Sequence, residues 1–175
     1  MNRPFYPEKI IETIPVLLPF LSVTFEILLG TVIVGFAFGF LLAKGQLGSN
    51  KVAKAASRFV INAFRCTPSI VMLFVVFYGL PVFFWSLFKV DINNWSKAIY
   101  VVLALGLLFS ASAAEIMRSS YLSVSKGQRE AALTSGLTEA QAFTKIILPQ
   151  AFLVSLPNLG NSFIALLKEG SLAYT

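Results

Sequence analysis

The chain has 175 residues, 57% of them hydrophobic and 13% charged, with a formal net charge of +6. Ordinary globular chains hold ~45–50% apolar and ~25% charged residues, so this composition is that of a polytopic membrane protein. With no histidine, one cysteine (Cys66) and one aspartate (Asp91), a Ser-His-Asp or Cys-His nucleophile is impossible, a Cys/His metal site is nearly so, and no internal disulfide can form.

The first apolar segment, residues 16–43, is too long for a removable signal peptide and lacks a small-residue cleavage site. Gly35, Gly39 and Ala43 recur every four residues along it, a stripe that lets another helix approach closely, within the subunit or in a second copy. Glu26 stands about three turns in, where an ionised acid costs ~2.5–3.5 kcal/mol; it faces a cavity or reaches the outer interface.

Residues 44–67 carry Lys44, Lys51, Lys54, Arg58 and Arg65 and no acid. Within this stretch Val52, Ala55, Phe59, Val60 and Ala63 share one helical face and the cations gather opposite. Such a helix can lie at the membrane surface with its cations near lipid headgroups. Thr67 is a natural cap, and Pro68 is suited to opening the next helix.

The second span is expected over 68–88 and the third over 97–117, joined by a short, nearly neutral connection around 91–95. Glu115 precedes Arg118 by one turn, which allows a side-chain pair or a group on a solute path. A second basic loop, 118–149, holds Arg118, Lys126, Arg129 and Lys145, and the fourth span runs over 147–167. Cations grouped between apolar segments set topology rather than mark a nucleic-acid surface. Positive-inside bias places both basic loops in the cytoplasm and both chain ends outside.

The 118–149 loop is built as a structured element. Ser125 with Gln128 reads as a capping box opening a short helix through Ala131, Ala132 and Leu133. Gly136 falls where that helix needs a left-handed residue. Thr138 with Gln141 is a second capping box, opening a helix that reaches Leu148, and Pro149 marks a bend into the fourth span. Glu130 suits the helix start, and two alanines keep the first helix thin enough for a groove on a partner. A hairpin that only braces the bundle is the other reading. In the fourth span Pro157 is expected to interrupt the helix and free backbone carbonyls, while Asn158 and Asn161 supply amides at i, i+3 spacing. Together these would suit an amino-acid zwitterion, or the asparagines would hydrogen-bond to a neighbouring helix.

Glu130-Ala131-Ala132, three residues, Gly136, nine residues, then Ile146-Ile147-Leu148-Pro149 resembles the cytoplasmic EAA loop of permease subunits in bacterial ABC importers. Phe64-Arg65-Cys66-Thr67-Pro68 is similar to the F-R-G-T-P of the polar amino-acid branch, with Cys66 for the usual glycine, and Ala114-Glu115-Ile116-Met117-Arg118 to its A-E-I-x-R. Pro157-Asn158-Leu159-Gly160-Asn161 and Leu167-Lys168-Glu169-Gly170-Ser171-Leu172-Ala173 match as well, so the resemblance covers the chain from the first span onward.

The resemblance implies an all-α membrane bundle of the type I ABC importer permease kind, in the inner membrane of a bacterium. Four spans are expected here, with the fifth of the family pattern missing from the chain. It implies Glu130, Ala131, Ala132, Gly136, Ile146, Leu148 and Pro149 as the coupling surface for a separate ATPase. Glu115, Asn158, Asn161, Lys168 and Ser171 are candidates for the substrate path; Lys168, at the outer end, gates it, meets a binding protein or anchors the interface. Partners implied are two ATPase subunits, a second permease subunit, an extracellular binding protein, membrane lipid and a polar amino acid, with cystine faintly favoured. The chain has no G-x-x-x-x-G-K-[ST] loop, so ATP and Mg²⁺ belong on the ATPase and no cofactor is expected on this subunit. An ATP-independent secondary transporter or channel is the alternative.

Overall fold

A computed structural model of the chain describes residues 8–170, and all regular structure among them is helical. A short helix α1 (Glu8–Leu17) precedes α2 (Phe20–Leu47), and helix α3 (Lys51–Cys66) follows. The second span comprises α4 (Ser69–Phe74), a π-helical turn (Val75–Gly79) and α5 (Leu80–Phe88). Helix α6 (Lys97–Ser123) is the third span. Then come α7 (Lys126–Thr134), α8 (Glu139–Ala142), a second π-helical turn (Phe143–Ile147) and α9 (Leu148–Gly170). Four helices are long and apolar enough to cross a membrane: 20–47, 69–88, 97–123 and the continuous 139–170.

The spans differ from the sequence expectation at their ends. Pro19 starts the first span four residues later, and the helix carries Lys44 and Gln46 to Leu47. The third span runs on to Ser123 through the first residues of the expected basic loop. The fourth, expected over 147–167, belongs to a continuous helix that runs from Glu139 to Gly170.

Both π-helical turns end two residues before a proline, Pro81 in one case and Pro149 in the other. A proline inside a helix offers no N–H to the carbonyl four residues back, and its ring collides with that carbonyl. Widening the preceding turn, so that the Leu148 N–H bonds to the Phe143 carbonyl, lets the helix pass the proline without a break. Pro157 is likewise carried inside an unbroken α9, contrary to the expected interruption; only the Leu153 carbonyl loses its regular donor.

Helix α6 is the hub, touching α2, α3, α4 and α9. Half of its apolar window is buried inside the bundle, against 11–22% for the other three spans. The tight crossing with α2 uses the small-residue stripe: a Cβ at Gly39 would lie 2.9 Å from the Ser110 carbonyl oxygen and 3.0 Å from the Ala113 Cβ. The stripe therefore packs within the chain. Phe36, Phe109 and Phe163 then tie α2, α6 and α9 together, with ring centroids 5.4–6.4 Å apart. A second cluster of Met72, Val76, Ile92, Tyr100 and Ala104 seats the second span, and the Tyr100 hydroxyl donates to the Ile92 carbonyl at the loop. The outward surfaces stay apolar, as with Phe40 and Leu153, which suits lipid rather than water.

Helix α3 packs one side of itself against the bundle. It is capped by Asn50, whose Oδ1 accepts from the Val52 and Ala53 N–H groups. Ser57 and Ile61 are buried against the bundle and Val60 is half-buried, while Val52 and Phe59 point away. Thr67 closes α3 instead of capping the next helix: its Oγ1 donates to the Ala63 carbonyl at 2.8 Å.

Candidate functional site

Two places collect the residues singled out from the sequence: the hairpin of α7 and α8, and the outward face of α9.

The hairpin is closed by backbone geometry at its turn. The Gly136 N–H bonds to the Leu133 carbonyl at 3.0 Å and the Leu137 N–H to the Ala132 carbonyl at 3.1 Å, the paired bonds of a Schellman motif. That motif requires a left-handed residue, and Gly136 has φ +85°. Across the turn the Thr138 capping box is complete. The Gln141 N–H donates to Thr138 Oγ1 at 3.3 Å, and the Thr138 N–H donates to Gln141 Oε1 at 3.0 Å. The other expected box is not made: Ser125 sits at the N-cap, but only its carbonyl is engaged, by the Gln128 N–H at 3.0 Å.

The arms are joined by Arg129 and Glu139, whose forked contact includes Nε to Oε2 at 3.0 Å. Ala132, Ala142 and Ile147 form the buried inner face, and the Tyr121 and Phe143 rings, 6.2 Å apart, link the hairpin to the end of α6. This alters the reading of the alanine pair. Ala131 faces outward, but Ala132 is consumed by the hairpin's own core, because the turn folds back over it. Glu130, Gly136, Leu148 and Pro149 are exposed and Ile146 is half-buried. The Glu130 carboxylate has no side-chain partner among the described residues. It borders a cleft of about 430 Å³ with Tyr121, Lys126, Arg129 and Ile147.

Among the described residues the candidates for a solute path are spread over α6 and α9. Glu115 is hydrogen-bonded within the chain: its Oε2 accepts from Arg118 Nη2 at 2.8 Å and its Oε1 from Gln46 Nε2 at 2.7 Å. Gln46, buried, thereby joins the end of α2 to α6. Sequence reasoning passed over it, although it continues the stripe of Thr31, Gly35, Gly39 and Ala43 by one more turn, and a polar residue on such a stripe needs a partner. Asn158 and Asn161 are exposed on α9 and make no side-chain hydrogen bond among the described residues, so neither is spent on a neighbouring helix of this chain. They share a face with Lys168, also exposed, and α9 turns Ala151, Ser155 and Leu166 inward. Ser171 lies outside the described residues. Glu26 is exposed. An apolar cavity of about 630 Å³ between α2, α6 and α9 is lined by Thr24, Thr31, Val101 and Leu166 among others, and by neither asparagine. No cluster of three or more His, Cys, Asp or Glu side chains occurs among the described residues.

Comparison with known proteins bears on this arrangement. Residues 35–175 match the family model described as "Binding-protein-dependent transport system inner membrane component". The chain is 38% identical over 175 residues to the L-cystine transport system permease protein TcyL of Bacillus subtilis, covering 100% of this chain and 73% of that protein. It is 38% identical over 165 residues to the probable amino-acid ABC transporter permease protein PatM of Vibrio harveyi, covering 94% and 72%. A crystal structure of an amino acid ABC transporter with histidines superposes with a TM-score of 0.78 at 31% identity, covering 99% of this chain and 77% of that one.

Proposed function

Since the chain belongs to the binding-protein-dependent transport system inner membrane components, among the amino-acid permeases of ABC transporters, we propose that it is the membrane-spanning subunit of an ATP-driven importer for a polar amino acid. The observation that carries the reading is the Gly136 hairpin. It is a preformed element with its own cap, turn bonds and ion pair, and it stands at the basic end of the bundle with Glu130 and Ala131 outward. Two such permeases, alike or paired, pair with two ATPase subunits that hold ATP and Mg²⁺. Glu130, Ala131, Gly136, Ile146, Leu148 and Pro149 form the side that faces them, and Ala132 supports it from within.

Both basic loops lie in the cytoplasm and both ends of the chain outside the inner membrane. Closure of the ATPases moves the docked hairpins as rigid bodies, and the bundle alternates between outward and inward openings. A binding protein delivers the solute from outside. The π-helical turn at 143–147 makes one 32-residue helix of the hairpin's second arm and the fourth span, so a displacement of α8 is transmitted along α9. Asn158 and Asn161, exposed and without a side-chain hydrogen bond among the described residues, offer donors and acceptors to the zwitterion, and Lys168 stands farther along that face. Cystine is the favoured solute, supported by the likeness to an L-cystine permease.

The test is uptake of labelled cystine by vesicles containing the permease, its ATPase and its binding protein. ATP inside the vesicle is expected to drive uptake; uptake by the permease alone under an ion gradient would refute the reading.

A further inference from the structure

Helix α3 carries a surface that the described residues leave uncovered. Its inner side is spent on the bundle, with Ser57 and Ile61 buried and Phe64 packed beneath. Its outer side is a pair of adjacent ridges. Val52, Ala56, Phe59, Ala63 and Cys66 recur at four- and three-residue spacing, and all are exposed. Val52 keeps 77% and Phe59 75% of its surface. Beside them Lys51, Arg58 and Arg65 recur at intervals of seven residues, which leaves them on one line with a drift of only ~20° per repeat. Lys51 and Arg58 have no acidic partner among the described residues.

Position decides what such a face meets. Three residues, Gly48, Ser49 and Asn50, separate α3 from the first span, and Thr67 and Pro68 separate it from the second. A helix tied this closely to two crossing segments cannot leave the plane where headgroups and acyl chains meet. A cationic ridge flanking an apolar one is the complement of anionic headgroups above and lipid tails below.

We propose that the outer face of α3 is a docking surface for anionic phospholipid of the leaflet on the basic side of the bundle. Val52 and Phe59 enter the acyl boundary, and Lys51 and Arg58 hold phosphate groups. Each cation near such a surface raises association about fivefold, so the two together enrich anionic lipid locally over neutral lipid.

The experiment places a single reporter on the face. Trp85 and Trp95 are changed to phenylalanine and Phe59→Trp is introduced. The chain, with the subunits it assembles with, is reconstituted in phosphatidylcholine containing a minor fraction of acyl-brominated lipid. That lipid is either phosphatidylglycerol or phosphatidylcholine. The expected result is quenching by bromine in both, at least fivefold more effective per molecule for the phosphatidylglycerol, with the ratio falling to about one in Lys51→Gln/Arg58→Gln. Quenching by aqueous iodide alone would show a face in water, and protection from both quenchers would show a covering protein. Equal quenching by the two brominated lipids would show an apolar contact without headgroup selection. Each of these three outcomes overturns the proposal.

Discussion

Substitution at Gly136 isolates a single physical variable. The residue is left-handed at φ +85°, yet a Cβ placed there meets nothing within 4 Å. Any cost of a side chain is therefore conformational, without a steric contact to confuse it. For an alanine this region costs ~1–2 kcal/mol, which opens the turn about 5–30-fold more often. Asparagine enters the region more readily, whereas a β-branched valine is penalised beyond alanine. The order Gly, Asn, Ala, Val should thus be the order of rising hairpin opening. The assay is amide hydrogen exchange at residues 136 and 137, whose N–H groups make the two turn bonds, read in the assembled transporter. Alanine is expected to speed exchange about 5–30-fold, asparagine by much less and valine by more. Substrate-stimulated ATP hydrolysis should fall in the same order and vanish for valine, with membrane insertion intact. Exchange in the alanine variant equal to that of the parent would refute the conformational argument, and full coupling in the valine variant would refute the docking role.

Asn158→Leu with Asn161→Leu removes the two unspent amides of α9; uptake should drop at least tenfold while the complex still assembles, and unchanged uptake would return both residues to packing or lipid contact. Glu115→Leu leaves the buried Gln46 amide without its acceptor, at a cost of ~1–3 kcal/mol, and should lower the thermal midpoint of the purified subunit. Glu115→Gln keeps an oxygen for Gln46 and should recover part of that loss. Equal midpoints for the two variants would show that the contact is not what Glu115 contributes.

Local chemistry was legible wherever a residue's role depends on its neighbours along the chain. Gly136 is required by the helix end it follows, and Thr138 with Gln141 needs only a three-residue spacing to close a box. The same reasoning overreached at Ser125. That helix does start there, but the serine hydroxyl makes no capping bond. It overreached at Pro157 as well, since a helix can absorb a proline by leaving one carbonyl without its donor. Side-chain partners from distant segments were out of reach. Nothing near Gln46 in the sequence announces Glu115, and nothing near Arg129 selects Glu139 over water.

What the sequence determined by itself is the class of the molecule: a membrane bundle of four apolar spans, two basic loops and a capped hairpin with a left-handed glycine. These follow from apolar run length, charge placement and nearest-neighbour backbone chemistry, all of which are properties of short stretches of chain. The tertiary structure alone decided which faces are used. It turned the small-residue stripe of α2 onto α6, drew Ala132 inward and left Ala131 out, committed Glu115 to Gln46 and Arg118, and left Phe59 and the α9 asparagines uncovered. A helix shows several faces of comparable hydrophobicity in such an apolar chain, so periodicity cannot choose among them. The choice falls to whichever face lets backbones approach most closely and satisfies every buried polar group.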